Sequence, residues 1–404
     1  MKKSIDSVAI GGVVDLKACP SMKPSTDRPD IVPAARDLRL DLFRGAANWA
    51  IFLDHIPNNV VAWITMKNYG FSDAADLFIF ISGYAVAFVY SPTMAAKGFV
   101  VAAVGILARA WQIYVAHILL FVFYVAAIGY VAQRYGHAHL LDEFNIRRLI
   151  ADPIEFLKHG LLLEFKPLNL DVLPLYIALM AMFPPVLWLL VRAPGLALAI
   201  SFAIYAGART FDWNLASYPD GEWYFNPFAW QFLFVIGAWI SLDRMGRVQR
   251  LTRSRTALWS AVLFLLFSLA VTLAVRFGFS SAMPAPLADL FIPNDKTNLA
   301  PYRILHFLAL ALVVARLVPR GAPVLKLPVL RPALICGERS LEVFCVGIFL
   351  SFVAHFLIEL VSGSIAFQVL ISLAGIAAMI AVARYRTWIK DLRSASTSRP
   401  WRTA

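Results

Sequence analysis

Long apolar runs without charged side chains divide the chain into segments of membrane length. Six runs contain no Asp, Glu, Lys or Arg, at 77–96, 110–133, 172–191, 223–242, 256–275 and 360–383. Each can cross a hydrocarbon core of about 30 Å, which takes roughly 20 helical residues. Weaker or interrupted runs at 40–64, 193–208, 303–317 and 340–355 bring the predicted crossings to ten. The pattern therefore predicts an all-α, polytopic integral membrane helical bundle of about ten transmembrane helices.

Composition and charge support this placement and orient the chain. Hydrophobic residues make up 60% of the sequence and charged residues only 15%, with a mean hydropathy of +0.69. Lys and Arg gather at 243–255, 316–339 and 384–402, and cytoplasmic segments are enriched in these residues. We therefore predict an integral membrane protein with both termini in the cytoplasm. Orientation and anionic lipid account for the net charge of +12, so no nucleic-acid partner is expected.

The ends of the chain differ from its centre. Residues 1–36 are polar and lack the apolar core of a secretory signal, which predicts a flexible cytoplasmic N-terminal tail. Residues 37–385 form the predicted multipass domain, and 386–404 a basic cytoplasmic C-terminal tail. Cys19, Cys336 and Cys345 have no metal-ligand or redox spacing, so we expect no metal and no permanently bound cofactor. Oligomeric state stays open.

A polar stripe lies on the first apolar helix. At about 100° per residue, Asn48 falls roughly 40° and His55 roughly 20° from Arg44. Ionisable groups are costly in hydrocarbon, so this stripe should face the bundle interior and mark a functional site. His55 could act as a general base on a hydroxyl, or it could only hydrogen-bond a neighbouring helix. Asp54 could reach that imidazole only if the helix is distorted before Pro57.

Carboxylates open the second apolar run. Asp73 followed by Asp76 resembles a carboxylate cap, which is favourable at a helix N-terminus. The functional alternative is that Asp76 shares a cavity with His55 and fixes its tautomer or stabilises its cation. Gly83 lies near the same face as Asp76 and would let another helix approach closely.

Other polar and aromatic residues are candidates for substrate binding. Arg109, with Gln112, could bind the phosphates of a nucleotide-like donor, or it could anchor its helix at the membrane interface. Flat aromatic rings beside hydrogen-bonding groups suit stacking on sugars, although they also suit an aromatic belt. The remaining candidates of this kind are Asn48, Trp223, Asn226, Trp230, Gln231, Lys296, Arg303 and His306.

Several ordered motifs together resemble one family. They are Arg39-Leu-Asp41-Leu-Phe-Arg44-Gly45, Asp54-His55-Ile-Pro57-Asn58, Gly70-Phe-Ser72-Asp73-Ala-Ala-Asp76, Arg109-Ala-Trp111-Gln112-Ile-Tyr114-Val-Ala-His117, Asp171-Val-Leu-Pro174-Leu-Tyr176, Phe225-Asn226-Pro227-Phe-Ala-Trp230-Gln231, Asp295-Lys296-Thr-Asn298-Leu, Arg303-Ile-Leu-His306-Phe, and Ser340-Leu-Glu-Val-Phe344-Cys345 with His355. The chain resembles the OpgC family of membrane acyltransferases, named for the succinylation of osmoregulated periplasmic glucans. The resemblance covers nearly the whole chain except its two ends.

The resemblance implies a reaction and its participants. The family is similar to the broader acyltransferase-3 type, which implies a ten-helix bundle, a cytoplasmic acyl donor and important residues matching Arg44, His55 and Arg109. We expect an acyl-CoA co-substrate, such as succinyl-CoA, and a periplasmic glucan or other envelope glycan as acceptor. In this hypothesis His55 is the base, Asp54 or Asp76 stabilises the imidazolium, and Arg44 stabilises the oxyanion or a donor carboxylate.

Two other classes of function fit the same residues. A transporter or flippase of a modified glycan or acyl group would use buried charges for passage and would consume no thioester. A structural partner in a glucan assembly complex would tolerate loss of both Arg44 and His55, and the polar stripe disfavours it. Activity alone separates the transferase from the transporter.

Overall fold

The protein is an all-α chain, as the apolar pattern predicts. The computed structural model describes residues 37–397 apart from residue 244, and these residues form fifteen α-helices. The helices are α1 (Leu38–Asp54), α2 (Ala74–Tyr135), α3 (His139–Glu143), α4 (Arg148–Ala151), α5 (Pro153–Leu161), α6 (Val172–Arg192), α7 (Pro194–Thr210), α8 (Pro227–Ser241), α9 (Arg247–Arg253), α10 (Arg255–Arg276), α11 (Ala285–Phe291), α12 (Pro301–Leu317), α13 (Arg331–Glu338), α14 (Ser340–Leu360) and α15 (Ile365–Thr397).

Five helices, α2, α6, α10, α14 and α15, are long and apolar enough to cross a membrane. This indicates an integral membrane protein. Four further helices, α1, α7, α8 and α12, coincide with predicted crossings but have only 15–17 residues. A perpendicular crossing takes roughly 20 residues, so the count of ten crossings stays a prediction.

Gly98 interrupts α2, which is 62 residues long. Its φ of 84° and ψ of 179° lie in a region of backbone space that essentially only glycine adopts. The break separates residues 74–97 from 99–135, and each part is longer than a membrane crossing requires. These two parts contain the predicted apolar runs 77–96 and 110–133.

The first helix ends before its apolar run does. The run 40–64 was predicted as a weaker or interrupted crossing, and it is interrupted, because α1 ends at Asp54, ten residues before the run ends. Pro57 disfavours helical backbone in the residue before it, and Asn58 then takes a left-handed φ of 55°. Two 3-10 turns, Val60–Ile64 and Met66–Asn68, follow and lead to α2.

The two predicted tails differ in what the structure covers. The N-terminal tail at 1–36 lies outside the described residues. At the other end, α15 runs to Thr397 and therefore continues beyond residue 385, the predicted end of the membrane domain. The basic C-terminal segment thus begins as a continuation of the last apolar helix.

Two glycines bring α2 and α8 into backbone contact. A Cβ atom on Gly83 would lie 2.0 Å from the carbonyl oxygen of Phe234, and one on Gly237 would lie 2.2 Å from that of Phe80. The predicted close approach at Gly83 is confirmed. Small residues at such crossings let membrane helices gain dispersion contacts along their backbones. This contact sets the position of α2, whose first turn carries Asp76.

Glycines also bring the backbones of α1 and α13 into contact. A Cβ on Gly45 would lie 1.9 Å from the Ala333 carbonyl oxygen, and a Cβ on Gly337 would lie 1.7 Å from that of Asp41. The glycines come from both partners, so each helix accepts the backbone of the other. The polar stripe of α1 is thereby held at a defined rotation.

We expect Gly83→Val to destabilise the protein, because its side chain would collide with the α8 backbone, which cannot move as a flexible side chain could. Overpacking of this kind costs about 1–3 kcal/mol. The thermal unfolding midpoint and the monodisperse fraction of detergent-purified protein measure the effect.

Gly129→Val provides the matched control for that substitution. Gly129 also lies in α2, but a Cβ there would meet no heavy atom within 4 Å. We expect this variant to unfold at the wild-type midpoint. Equal midpoints for the Gly83 and Gly129 variants would contradict the proposed backbone contact.

Candidate functional site

Two carboxylates cap the start of α2. Asp73 accepts a hydrogen bond from the backbone N–H of Ala75 at 2.8 Å, and Asp76 accepts one from the backbone N–H of Asp73 at 2.8 Å. This reciprocal pair is a capping box, and negative charge is favourable at that end of a helix. The structural alternative for Asp73 and Asp76 is therefore confirmed.

The same carboxylates bind two basic residues from the other end of the sequence. Arg303 donates to Asp76 at 2.6 Å and to Asp73 at 3.3 Å, and the Lys296 ammonium lies 2.6 Å from Asp73. We call these four residues the ionic cluster. Asp76 is 0% and Arg303 2% exposed, and buried charges of this kind require close partners. The four formal charges cancel.

The cluster keeps its half-buried members, Asp73 and Lys296, ionised. Burial acts to raise the pKa of Asp73, but Lys296 and Arg303 outweigh it and hold that pKa well below the usual range. Burial acts to lower the pKa of Lys296, but the Asp73 charge outweighs it and raises that pKa. Asp73 and Lys296 are therefore both charged at neutral pH.

Residues of α8 fasten the loop that carries Lys296. The indole N–H of Trp230 donates to the carbonyl oxygens of Lys296 at 3.0 Å and Thr297 at 3.2 Å. Asn226 donates through Nδ2 to Oδ1 of Asn298 at 2.8 Å, and its backbone N–H donates to Thr297. Trp230 and Asn226 are both 0% exposed. Their side chains hold this loop and lie in the protein interior.

The other two aromatic and amide candidates also pack inside. Trp223 is 6% exposed, and the Lys166 ammonium lies 4.0 Å from the centroid of its indole ring, a cation–π contact. Gln231 accepts a hydrogen bond from the Ser201 hydroxyl at 2.6 Å and donates to the Ser201 carbonyl at 2.7 Å. Gln231 therefore joins α8 to α7.

His306 is joined to the residue before the cap. Its Nδ1 lies 2.7 Å from the Ser72 hydroxyl and accepts from the Ser72 backbone N–H at 3.3 Å. A backbone N–H can only donate, so the neutral ring carries its proton on Nε2. His306 also lines a cavity of about 410 Å³ whose other walls are largely apolar and include Val262 and Leu310.

His55 lies at the C-terminal end of α1. Its Nδ1 is 2.7 Å from the carbonyl oxygen of Ile51, which can only accept, so Nδ1 carries the proton and Nε2 keeps its lone pair. The charges of Lys296, Lys67 and Asp73 lie close enough to act on this imidazole. The arrangement provides an unprotonated nitrogen of the kind that a general base needs.

The two carboxylates expected to orient His55 have other partners. Asp54 accepts a hydrogen bond from the Thr65 hydroxyl at 2.6 Å and lies 3.2 Å from the Lys67 ammonium, so it stabilises the 3-10 segment. Asp76 binds Arg303, as described above. The proposed fixing of the His55 tautomer by Asp76 was therefore wrong, because the Ile51 carbonyl occupies Nδ1.

The rest of the polar stripe faces neighbouring helices. Arg44 donates to the Ile81 carbonyl oxygen of α2 at 3.4 Å. Asn48, 1% exposed, donates to the backbone carbonyl and the hydroxyl of Ser340, at 3.2 and 3.3 Å. The stripe thus faces protein, as the cost of polar groups in hydrocarbon requires.

Arg109 and Gln112 are not part of the ionic cluster. They lie in the second part of α2, where Arg109 donates to the Gln112 side-chain oxygen at 3.0 Å. Gln112 is exposed beside Trp111, which is 64% exposed. A half-buried Arg109 among exposed side chains is consistent with both readings, an anchor at the interface or a phosphate ligand.

Sequence reasoning did not relate Lys166 to Asp171, two ionisable residues before α6 whose charges act on each other. Burial lowers the pKa of Lys166 and raises that of Asp171, and each partner's charge opposes the shift of the other. Lys296 also acts on Asp171, so this pair belongs to the surroundings of the ionic cluster. Asp171 begins one of the motifs that resemble the family. Lys166 lies in the loop before it, where no helical periodicity predicts which side chains lie close together.

Comparison with protein families matches residues 36–391 to the family described as OpgC protein. The match begins just before α1 and ends within α15, so it includes the whole candidate site. No curated protein matches the chain, and no solved structure matches it.

We expect Arg303→Gln to destabilise the protein strongly, because it leaves Asp76 buried without its cation. Removing one partner of a buried ion pair costs about 3–5 kcal/mol. The double variant Asp76→Asn with Arg303→Gln should recover part of this loss. The thermal unfolding midpoints of the wild type, the single variant and the double variant, measured in detergent, test this prediction.

Arg147→Gln is the control for that series. Arg147 pairs with Asp142, and both side chains are more than half exposed. Surface ion pairs contribute little, so we expect only a small change in the midpoint. An Arg303 variant no less stable than the Arg147 variant would show that the cluster does not stabilise the fold.

Proposed function

The chain belongs to the OpgC protein family, and from this membership we propose that it is a membrane O-acyltransferase acting on glucans. The family implies acyl transfer in glucan succinylation. Our proposal adds the direction of transfer, from a cytoplasmic acyl-CoA such as succinyl-CoA to a hydroxyl of a periplasmic glucan. The protein would lie in the bacterial inner membrane with both termini in the cytoplasm.

The tautomer of His55 is the observation that carries this proposal. Its Nδ1 proton is engaged by the Ile51 carbonyl, which leaves the Nε2 lone pair to accept a proton. A main-chain carbonyl cannot move independently of α1, so the ring orientation is held by the helix itself. A transferase that activates a hydroxyl needs such a positioned base.

The reaction follows from that base. Nε2 of His55 takes the proton of the glucan hydroxyl as its oxygen attacks the thioester carbonyl carbon. The tetrahedral oxyanion collapses, the C–S bond breaks, and the imidazolium returns the proton to the departing sulfur. The products are the acyl ester of the glucan and free CoA thiol.

Nearby cations stabilise charge in this scheme. The positive charge of Lys296 favours the neutral form of the His55 ring over the imidazolium, and its own charge is maintained by Asp73. We assign to Lys296 and Arg44 the stabilisation of the oxyanion, since preorganised cations are most effective in a site with little water. Arg109 would bind donor phosphates, and Asp54 would hold the segment beside His55.

We expect His55→Ala to abolish acyl transfer while the protein still inserts, with a loss of at least about 100-fold. Mass spectra of periplasmic glucans from cells with the wild-type gene, the deletion and the variant show whether acyl increments appear. Membranes supplied with succinyl-CoA and glucan give the rate of thiol release.

His159→Ala serves as the histidine control in these cells. His159 pairs with Glu155 and Glu164 and belongs to α5. Glucans from cells with the His159→Ala variant should be acylated as in the wild type. Full acylation by inserted His55→Ala protein would refute the role of this base, and glucan movement without thiol release would indicate a transporter.

We expect Trp230→Phe to slow transfer by loosening the Lys296 loop. The loss of an N–H donor worth about 1 kcal/mol corresponds to a reduction of roughly fivefold. In a Lys296→Met background the same change should have little further effect, since both act through one ammonium group. Initial rates of thiol release for the four proteins give this double-mutant cycle, and additive effects would show that Trp230 acts independently.

A further inference from the structure

A second group of histidines and glutamates lies apart from the residues assigned to acyl transfer. Gly136 ends α2 in a left-handed conformation, with φ 74°, and turns the chain back towards α14. His137 and His139 follow this turn, and His139 begins the short helix α3. The turn brings both imidazoles to the C-terminal end of α14.

Two histidine–glutamate pairs with the same spacing, one on α3 and one on α14, face each other there. His139 and Glu143 are four residues apart on α3, and His355 and Glu359 are four residues apart on α14. His139 Nε2 lies 2.7 Å from Glu359 Oε1, and His355 Nε2 lies 3.0 Å from Glu143 Oε1. Each imidazole therefore meets the carboxylate of the opposite helix.

His137 adds a third nitrogen at the same carboxylate. Its Nδ1 lies 3.5 Å from Oε1 of Glu359, and the ligand atoms of His137, His139 and Glu359 all lie within 4.8 Å of one another. Two imidazoles and a carboxylate form a ligand set that zinc takes in proteins.

We propose that His137, His139 and Glu359 bind a zinc-like divalent cation, with His355 and Glu143 beside them. Ligands 2.0–2.1 Å from a tetrahedral zinc ion lie about 3.3 Å apart. The two nitrogen–oxygen separations of 2.7 and 3.5 Å lie on either side of that value, and all three ligand atoms lie within 4.8 Å of one another, so side-chain movements would bring them around one ion. The His139 side chain is 55% exposed and free to make them. Cysteine spacing predicts no metal, and the sequence pattern does not place α3 against α14.

This site is independent of the proposed transferase chemistry. Its ligands connect the segment after α2 to the end of α14, so the bound cation would join two elements distant in sequence. Neither His55 nor the ionic cluster supplies a ligand.

His159 shows why not every histidine–glutamate group qualifies. Its Nδ1 lies 2.5 Å from Glu164, whereas its Nε2 lies 3.3 Å from Glu155. The two nitrogens point away from each other across the ring, so these carboxylates cannot share one ion with it. His159→Ala is therefore the matched control.

Competition with a chromophoric zinc chelator tests the site on full-length protein purified in detergent with a tag that contains no histidines. We expect one Zn²⁺ per wild-type chain. His139→Ala and Glu359→Gln should each weaken binding by at least about tenfold, and His159→Ala should leave it unchanged. Unchanged affinity in the first two variants would overturn the proposal and leave a group held by histidine–glutamate ion pairs alone.

A second measurement needs no variant and so does not depend on variant folding. Co²⁺ titrated into metal-free wild-type protein should produce the visible absorption of a tetrahedral site, and Zn²⁺ should abolish it. A Co²⁺ spectrum identical to that of the free ion in buffer would also overturn the proposal.

Discussion

The burial of Asp76 is the constraint on which the site depends. A carboxylate with no exposed surface at the start of a membrane-length helix must have a cation beside it, and Arg303 of α12 supplies one at 2.6 Å. The capping bond from the Asp73 backbone fixes the same oxygen. The start of α2 and the start of α12 therefore cannot separate without exposing a buried charge to an apolar environment.

The loop before α12 connects this constraint to His55, the proposed base. Trp230 and Asn226 hold its backbone, and Lys296 extends from it to Asp73 while acting electrostatically on His55. Two residues that look like sugar-binding groups in the sequence, Trp230 and Asn226, thus support the loop of one lysine. Rigid support of this kind is what preorganised electrostatic stabilisation requires.

The candidate site was predictable where a single helix contains the signal. The rotation of Arg44 and Asn48 towards protein followed from helical periodicity, and the Asp73–Asp76 cap followed from a three-residue spacing. The hydrogen bond from the His55 ring to the Ile51 carbonyl could not be predicted in this way. Helix periodicity gives the direction of each side chain, but it does not show which side chains bond to the backbone of their own helix. The interruption of the run 40–64 near Pro57 was expected, but the exact end of α1 at Asp54 was not, because apolar residues continue past that proline.

The sequence alone determined the all-α class, the apolar segments, the close approach at Gly83 and the family, since these depend on local composition, spacing and ordered motifs. Only the tertiary structure decided which charges neutralise one another. Arg303 and Asp76 are 227 residues apart, and His139 and Glu359 come from helices that no periodic pattern relates. The Coulomb energy of two charges depends on their separation in space, and the number of residues between them along the chain does not give that separation.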